Sequence, residues 1–364
     1  MSYGSIMSQS SIPTPFEKAV IRITGPSHGA IVTVTGGGIS LTATEVSSGV
    51  WEVSVDKGTW TVKSSNYNSS NISVTVVKIY SLALTVAISS VLDNNSWSTI
   101  HNASANGTAK NYWSVGDCKK ITISGTIGTV YYSNISVYAF IIGIGHNATY
   151  EGSRKIHFQI GKKTKTSDKF IVFHDPDGTS YTNDKNSFCM NPASYWANST
   201  NRGGWKSCTM RSTIMSQFLS ALSSDVKNVI LYCTKYTDNV GGSPREDYNY
   251  KDSVKENVTA TSDKLFLISE FELWGSINYA NTYEATYQKQ YDYYIAGNSK
   301  ASDPWTSSYR VDYWGRSPSM FNQGSVYANE KNFLVFDGSS GKRTSARNLV
   351  ASGASNGIAP IFCV

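Results

Sequence analysis

Between residues 19 and 87, short runs of apolar side chains alternate with polar ones. The runs are Ala19–Ile23, Ile31–Val34, Ile39–Thr44, Trp51–Val55, Trp60–Val62 and Ile72–Val77, rich in Val, Ile, Thr and Trp. A period of two marks strands that bury one face. Turn formers separate them: Gly25-Pro26, Gly36-Gly37-Gly38, Asp56-Lys57-Gly58 and the polar run 64–70. Strands at a spacing of about ten residues predict a small Ig-like β-sandwich over 19–87. Residues 1–18 lack periodicity and are rich in Ser and Pro, which predicts a flexible or docking arm. Residues 88–111 carry Asn94-Asn95-Ser96-Trp97 and a Gly-containing loop, and read as a linker and domain entry with one short helix.

From residue 112 the pattern turns to mixed α and β. Ile121–Ile123, Ala139–Ile144 and Leu265–Ile268 are strand-like. Met210, Ile214, Phe218 and Leu222 form one apolar stripe of a helix. Ser269 and Glu272 have capping-box spacing. Glu284–Ile295 predicts a further helix with Tyr287 and Tyr291 on one face. Ile358–Val364 is almost wholly apolar, so it predicts a strand paired inside the core. The fold class that follows is multidomain: an N-terminal all-β sandwich, then an α+β domain over 112–364.

Composition narrows the class. Only 16% of the 364 residues are charged, while 23 Tyr and 9 Trp are present. With abundant Ser, Thr, Asn and Gly, that balance suits β-rich extracellular or virion proteins. The net charge of +6 is mild, and the densest basic run, Lys162-Lys163-Thr164-Lys165, reads as a solvated loop, so nucleic acid is not an expected partner. Five Cys without a C-x-x-C pair read as buried free thiols of a protein folded in a reducing compartment. The first residues lack a basic and an apolar region, and no run approaches the roughly 18 apolar residues of a membrane span. The expectation is synthesis in a cytoplasm, no signal peptide and no membrane insertion. The nine Asn-x-Ser/Thr sites then read as chance.

Chemistry is sparse. No H-E-x-x-H, P-loop, G-x-S-x-G or dinucleotide fingerprint occurs. His146, His157 and His174 fit no standard zinc spacing. Asp175-Pro176-Asp177-Gly178 opens like a calcium loop but has Asn186 where the acidic residue is needed. Glu270 and Glu272 stand two apart at a helix start, a capping arrangement rather than a glycosidase pair. No catalytic residue, metal or cofactor is expected.

Several blocks carry a family resemblance. Trp113–Asp117, Phe140–Gly143, Gly203-Gly204-Trp205 with Met210-Arg211, Leu265–Glu272, Tyr313-Trp314-Gly315-Arg316-Ser317-Pro318 and Gly357–Phe362 follow in this order. Together they resemble an uncharacterised domain of phage and prophage structural proteins, over about residues 91–364, and more distantly the C-type-lectin-like fold. Relatives usually carry Leu where Gly315 stands. The run Asp56–Tyr67 resembles sandwich modules of the PEGA or carboxypeptidase-regulatory type. The resemblance implies structural roles for Trp205, Arg211, Trp314, Arg316 and Pro318, with Arg316 bridging loop carbonyls. It implies that loops 175–203, 236–261, 298–312 and 320–332 carry specificity or contact neighbouring subunits. Trp305, Tyr309 and Tyr313 are the candidate ligand contacts. The calcium motifs of sugar-binding lectins are absent, so carbohydrate binding would be calcium-independent. A formylglycine-generating oxidase shares that fold but needs two nearby Cys late in the chain, and Cys363 has only the distant Cys233.

The function implied is a phage virion protein of a tail, fibre or other appendage. Its partners would be other virion proteins, further copies of itself, and a host-surface polysaccharide or protein. A bacterial surface adhesin and a cell-wall-glycan enzyme are the alternatives.

Overall fold

The computed structural model describes residues 18–175, 188–191, 200–241, 253–305, 311–320, 332–344 and 356–364. The arm predicted over 1–18 lies outside them apart from Lys18. The chain is mostly β and divides into two compact units, 1–88 and 89–364. No helix among the described residues is long and apolar enough to cross a membrane.

The first unit has eight strands: β1 (Ala19–Thr24), β2 (Val32–Gly36), β3 (Ile39–Thr42), β4 (Thr44–Ser47), β5 (Val50–Val55), β6 (Gly58–Ser64), β7 (Ser70–Val74) and β8 (Ile79–Ala83). They form two four-stranded sheets, β4-β5-β1-β8 and β3-β2-β6-β7. The period-two residues of both sheets meet in one core: Ile21, Ile23, Trp51 and Val55 from one, Val32, Val34, Trp60 and Val62 from the other. Each buried indole N–H has a carbonyl partner, Ala30 O for Trp51 and Asp56 O for Trp60. Strands β4 and β8 escape the sequence pattern; both are edge strands with no fully buried position.

The second unit is built on an antiparallel sheet of β9 (Cys118–Ile127), β10 (Val130–Ile144), β11 (Ile156–Lys162), β15 (Leu265–Phe266) and β20 (Ile361–Cys363), ordered β15-β20-β11-β10-β9. The predicted C-terminal strand is therefore an inner strand, although β11 is the middle one. Around the sheet lie the parallel pair β12 (Phe170–Val172) and β16 (Ser302–Pro304) and the hairpin β13 (Cys233–Asp238) and β14 (Val258–Asp263). The ribbon β17 (Tyr313–Pro318), β18 (Phe333–Phe336) and β19 (Arg343–Thr344) completes the strands. The helices are α1 (Trp97–Ala105), α2 (Ala148–Glu151), α3 (Gly204–Ser207), α4 (Met215–Ala221), α5 (Ser224–Lys227), α6 (Glu270–Trp274), α7 (Glu284–Tyr287) and α8 (Asp292–Ile295).

Four expectations need correction. Residues 89–111 are no linker: α1, capped by Ser96, buries Trp97, Ile100 and Ala103, and Trp97 meets Phe158 and Phe362 edge-on. The 284–295 helix is broken, because Gln288 turns extended and spends its amide on Ser269, Tyr236 and Glu284 while Tyr291 enters the core. The 236–261 loop is shortened at both ends by the β13–β14 hairpin. Lys162 is no loop residue; it ends β11, buried, with its ammonium over the Phe140 and Tyr293 rings. The stripe at 210–222 is confirmed as buried, and its spacing of four reflects a π-helical turn at Met210–Ile214 that leads into α4.

Candidate functional site

The chemistry of the second unit is concentrated inside it. In β13 the buried face carries Cys233, Lys235 and Thr237. Lys235 is therefore drawn into the core by strand alternation. Its three N–H donors reach Glu151 Oε2 at 2.7 Å, Glu272 Oε1 at 3.0 Å and the Tyr291 hydroxyl at 2.9 Å. Glu272 is the third residue of α6 and completes the predicted capping box with Ser269. Its carboxylate also receives a bidentate pair from Arg316, through Nη1 and, at 2.9 Å, Nη2. The remaining Arg316 donors go to Thr237 Oγ1 and Leu267 O, both within 2.9 Å.

Two cations, Lys235 and Arg316, thus face two carboxylates, Glu151 and Glu272, and all four are buried. Burial alone would raise the Glu272 carboxyl, but Arg316 and Lys235 outweigh it and hold Glu272 far below the usual carboxylate range. Burial works to neutralise Lys235, yet the two glutamates win and raise its pKa. The flanking histidines take the opposite course. Burial, with Lys235 adding to it, pushes His146 down to about 3 and His157 well below its ordinary value. Both are neutral rings at pH 7.

The lattice continues toward a polar collar. Glu284 accepts from the Asp238 backbone N–H at 2.9 Å and from the Ser317 hydroxyl at 2.7 Å; burial pushes its carboxyl up to about 7 against those bonds. Asp238 Oδ1 accepts the Val240 and Gly241 N–H groups, and its Oδ2 accepts from Asn281, which also binds Val254 O. Asn201 donates to Asn332 O, the same carbonyl that Ser319 N–H uses. Met320 N–H reaches Tyr279 O, and Gly203 N–H reaches Val240 O. Residues 201–203, 238–241, 279–281, 319–320 and 332 are therefore joined in one hydrogen-bonded cluster. A second set of backbone bonds joins Trp305 N–H to Val172 O, Gly357 N–H to Asp312 O and Trp314 N–H to Gly357 O.

The sequence-selected residues fall as follows. Trp205 donates its indole N–H to Asp263 Oδ2 at 3.0 Å, and Arg211 pairs with Asp263 Oδ1 at 2.5 Å. Trp314 donates to Phe188 O. Pro318 ends β17, buried. Arg316 binds one carbonyl, but its main partner is Glu272. At Gly315 an added Cβ would lie 2.8 Å from the Phe336 ring, so Phe336 fills the space that a leucine would take. Of the ligand candidates, Trp305 is part-buried, with its ring parallel to Phe173 at 6.4 Å. Tyr309 lies outside the described residues. Tyr313 is corrected: it opens β17 inside the core, packed on Phe170 and Phe336, with its hydroxyl on Lys300 O.

Other features were not legible. Tyr232 is exposed beside a pocket of about 250 Å³ lined by Arg211, Ser212, Ser216, Ser262, Asp263 and Lys264, and the Lys264 ammonium lies 5.4 Å from its ring centre. All five cysteines are buried and unbridged, as the sequence led us to expect. Cys233 and Cys363, distant in sequence, are brought together beside His157, with their ligand atoms within 4.8 Å of one another. His174 stands apart from that group. The sequence signals for the lattice were the Ser269–Glu272 capping-box spacing and the motif around Arg316; Lys235 and Glu151 were not marked.

Residues 179–364 match the family described as "Domain of unknown function (DUF6273)". No curated protein matches the chain. Among solved structures, the Bacillus anthracis TIE protein is similar at 13% identity and a TM-score of 0.19, over 39% of this chain and 28% of that one. A DUF3823 family protein from Bacteroides ovatus is similar at 10% identity and a TM-score of 0.17, over 40% of this chain and 89% of that one. The chain spans under a third of the TIE protein's length. Both likenesses are too slight to carry an argument.

Proposed function

Given that the chain belongs to the family described as domain of unknown function (DUF6273), we propose that it is a non-enzymatic display protein of a bacteriophage virion. It sits on a tail, fibre or other appendage and binds a host cell-surface polysaccharide. The observation that carries this reading is the polar collar. Asn201, Asp238, Asn281 and Asn332, distant in sequence, share one hydrogen-bonded ring among the described residues. The ring in turn rests on the buried lattice through Glu284. A rigid, hydrogen-bonded base is how a scaffold holds contact side chains in place. Short antiparallel strands serving long connections also fit a C-type-lectin-like arrangement.

The interior charges support binding over turnover. Lys235, Arg316, Glu151 and Glu272 are all buried and engaged with one another, a rigid brace beyond the reach of a polymeric substrate. Exposed Tyr232, flanked by hydroxyl and charged side chains, offers a stacking face for a sugar ring. Trp305 offers a second, smaller one.

The test is sedimentation of purified full-length protein with cell-wall preparations from a panel of Gram-positive bacteria. Retention on one wall type, competed by its isolated polysaccharide, supports the proposal. Retention on none, or release of reducing sugar or peptide from a wall, overturns it.

A further inference from the structure

The group around His157 adjoins the charge lattice, sharing Glu151 with it, and points to a ligand. We propose that His157, Cys233 and Cys363 bind a zinc-class metal ion, with Glu151 as the fourth ligand. The three residues come from β11, β13 and β20. In the β11–β20 register His157 and Cys363 are direct cross-strand partners. A bridge between Leu231 and Cys363 then brings Cys233, two residues on, to the same place.

The dimensions fit. Cys363 Sγ lies 3.4 Å from His157 Nδ1 and 3.6 Å from Nε2. Cys233 Sγ is 3.2 Å from Glu151 Oε2, and that oxygen is 3.7 Å from His157 Nε2. Tetrahedral zinc holds sulfur at about 2.3 Å and nitrogen at about 2.0 Å, so its ligand atoms stand roughly 3.5–3.8 Å apart. A small rearrangement of four side chains would close around an ion.

Orientation and charge agree. The Tyr291 hydroxyl sits 3.1 Å from His157 Nδ1, which leaves Nε2 turned toward Glu151. A hydrogen bond on one ring nitrogen that presents the other is how metal-binding imidazoles are held. The ion would bring two positive charges, and each thiol would give its proton to solvent, so the balance of two cations against two carboxylates is kept. The neighbouring group of His146, Glu151 and Glu272 is a poorer candidate, because it offers no thiol and its Glu272 is held by a bidentate pair from Arg316 as well as by Lys235. Packing alone would be met by apolar side chains; it does not explain an imidazole and a carboxylate converging on two thiols.

The test uses the full chain, produced with zinc in the medium and purified under a non-chelating reductant. Metal content is measured directly, and chelator-treated protein is refolded with cobalt(II). The expected result is about one zinc per chain, and a cobalt spectrum with thiolate charge-transfer and tetrahedral d–d bands. Cys233→Ser and Cys363→Ser should lose both signals, while Cys118→Ser, a buried thiol outside the group, should keep them. Should the serine variants fail to fold, Tyr291→Phe serves instead, with a roughly 10- to 100-fold fall in cobalt affinity. Wild-type protein that refolds in excess zinc or cobalt yet carries neither overturns the proposal. So does a Cys233–Cys363 disulfide found by peptide mapping of protein handled without reductant.

Discussion

Removing Arg316 tests whether the buried lattice works as a charge-balanced whole. In Arg316→Met the core keeps two carboxylates and one cation, Lys235. Glu272 loses its bidentate partner, and Thr237 and Leu267 O lose a donor. Leaving one partner of a buried pair uncompensated costs about 3–5 kcal/mol. The two orphaned acceptors add about 1 kcal/mol each. A loss of about 5–7 kcal/mol is expected, a large share of the 5–15 kcal/mol typical of folded domains. Glu272→Gln alone leaves two cations against one carboxylate and should cost about 3–5 kcal/mol. The double variant restores balance, with Lys235 facing Glu151 alone. It should therefore be at least about 2 kcal/mol more stable than the sum of the single losses implies. The readout is built into the chain: all five cysteines lie beyond residue 88 and are buried. Pulsed thiol labelling against urea thus follows the second unit alone. Strict additivity of the two single losses would refute the charge argument.

Other outcomes follow from the same structure. Glu284, with its carboxyl raised by burial from 4.5 to about 7, stabilises the fold fully below pH 4.5, and that contribution is lost as pH rises through 7. Glu284→Gln should flatten this part of the pH–stability profile, worth about 3 kcal/mol at most, and an unchanged slope in urea titrations would count against it. Trp305→Ala should weaken wall retention and cost about 1–2 kcal/mol through its lost contact with Phe173; Tyr232→Ala, at an exposed site, should weaken retention with an unchanged melting temperature. If neither variant alters sedimentation, the aromatic contacts lie elsewhere. Gly315→Leu should destabilise through its clash with Phe336, and Phe336→Ala should partly restore the double variant in thermal melts. Deleting 359–364 removes Ile361, Phe362, Cys363 and Val364, all fully buried, at about 1.5–3 kcal/mol for each large side chain; a soluble truncation with a cooperative melt of the second unit would contradict the sheet order.

What the sequence disclosed depended on how local each signal was. Strands β1, β2, β5, β6 and β7 announce themselves because a half-buried strand writes its burial along the sequence. Edge strands β4 and β8 were missed; neither has a fully buried position, and β8 half-buries only Tyr80 and Leu82. Helix α1 was visible as a helix, but its partners Phe158 and Phe362 are far away in sequence, so its place in a core was not. Tyr313 looked like a loop aromatic because its neighbours are Ser and Asp, and only β18 shows it to be buried. Lys235, Glu151, Glu272 and Arg316 are residue types usually found at surfaces. Their burial makes sense only once four separate elements meet. Arg316 was marked by its motif, and Ser269–Glu272 by spacing, yet neither sign reveals that these two meet each other. The pairing of Cys233 with Cys363 was passed over for the same reason.

The position of β20 has a kinetic consequence. It lies between β11 and β15, so before residues 361–363 arrive the sheet exists as two pieces with open edges. Ser104 and Val364, joined by a hydrogen bond, are 260 positions apart. Closing a sheet through contacts this distant is slow, because loop-closure entropy is spent before the contacts form. Meanwhile the edge of β11, buried along its whole length in the finished fold, is available to any other strand. Refolding of the second unit should thus compete with strand exchange between chains, increasingly so as protein concentration rises.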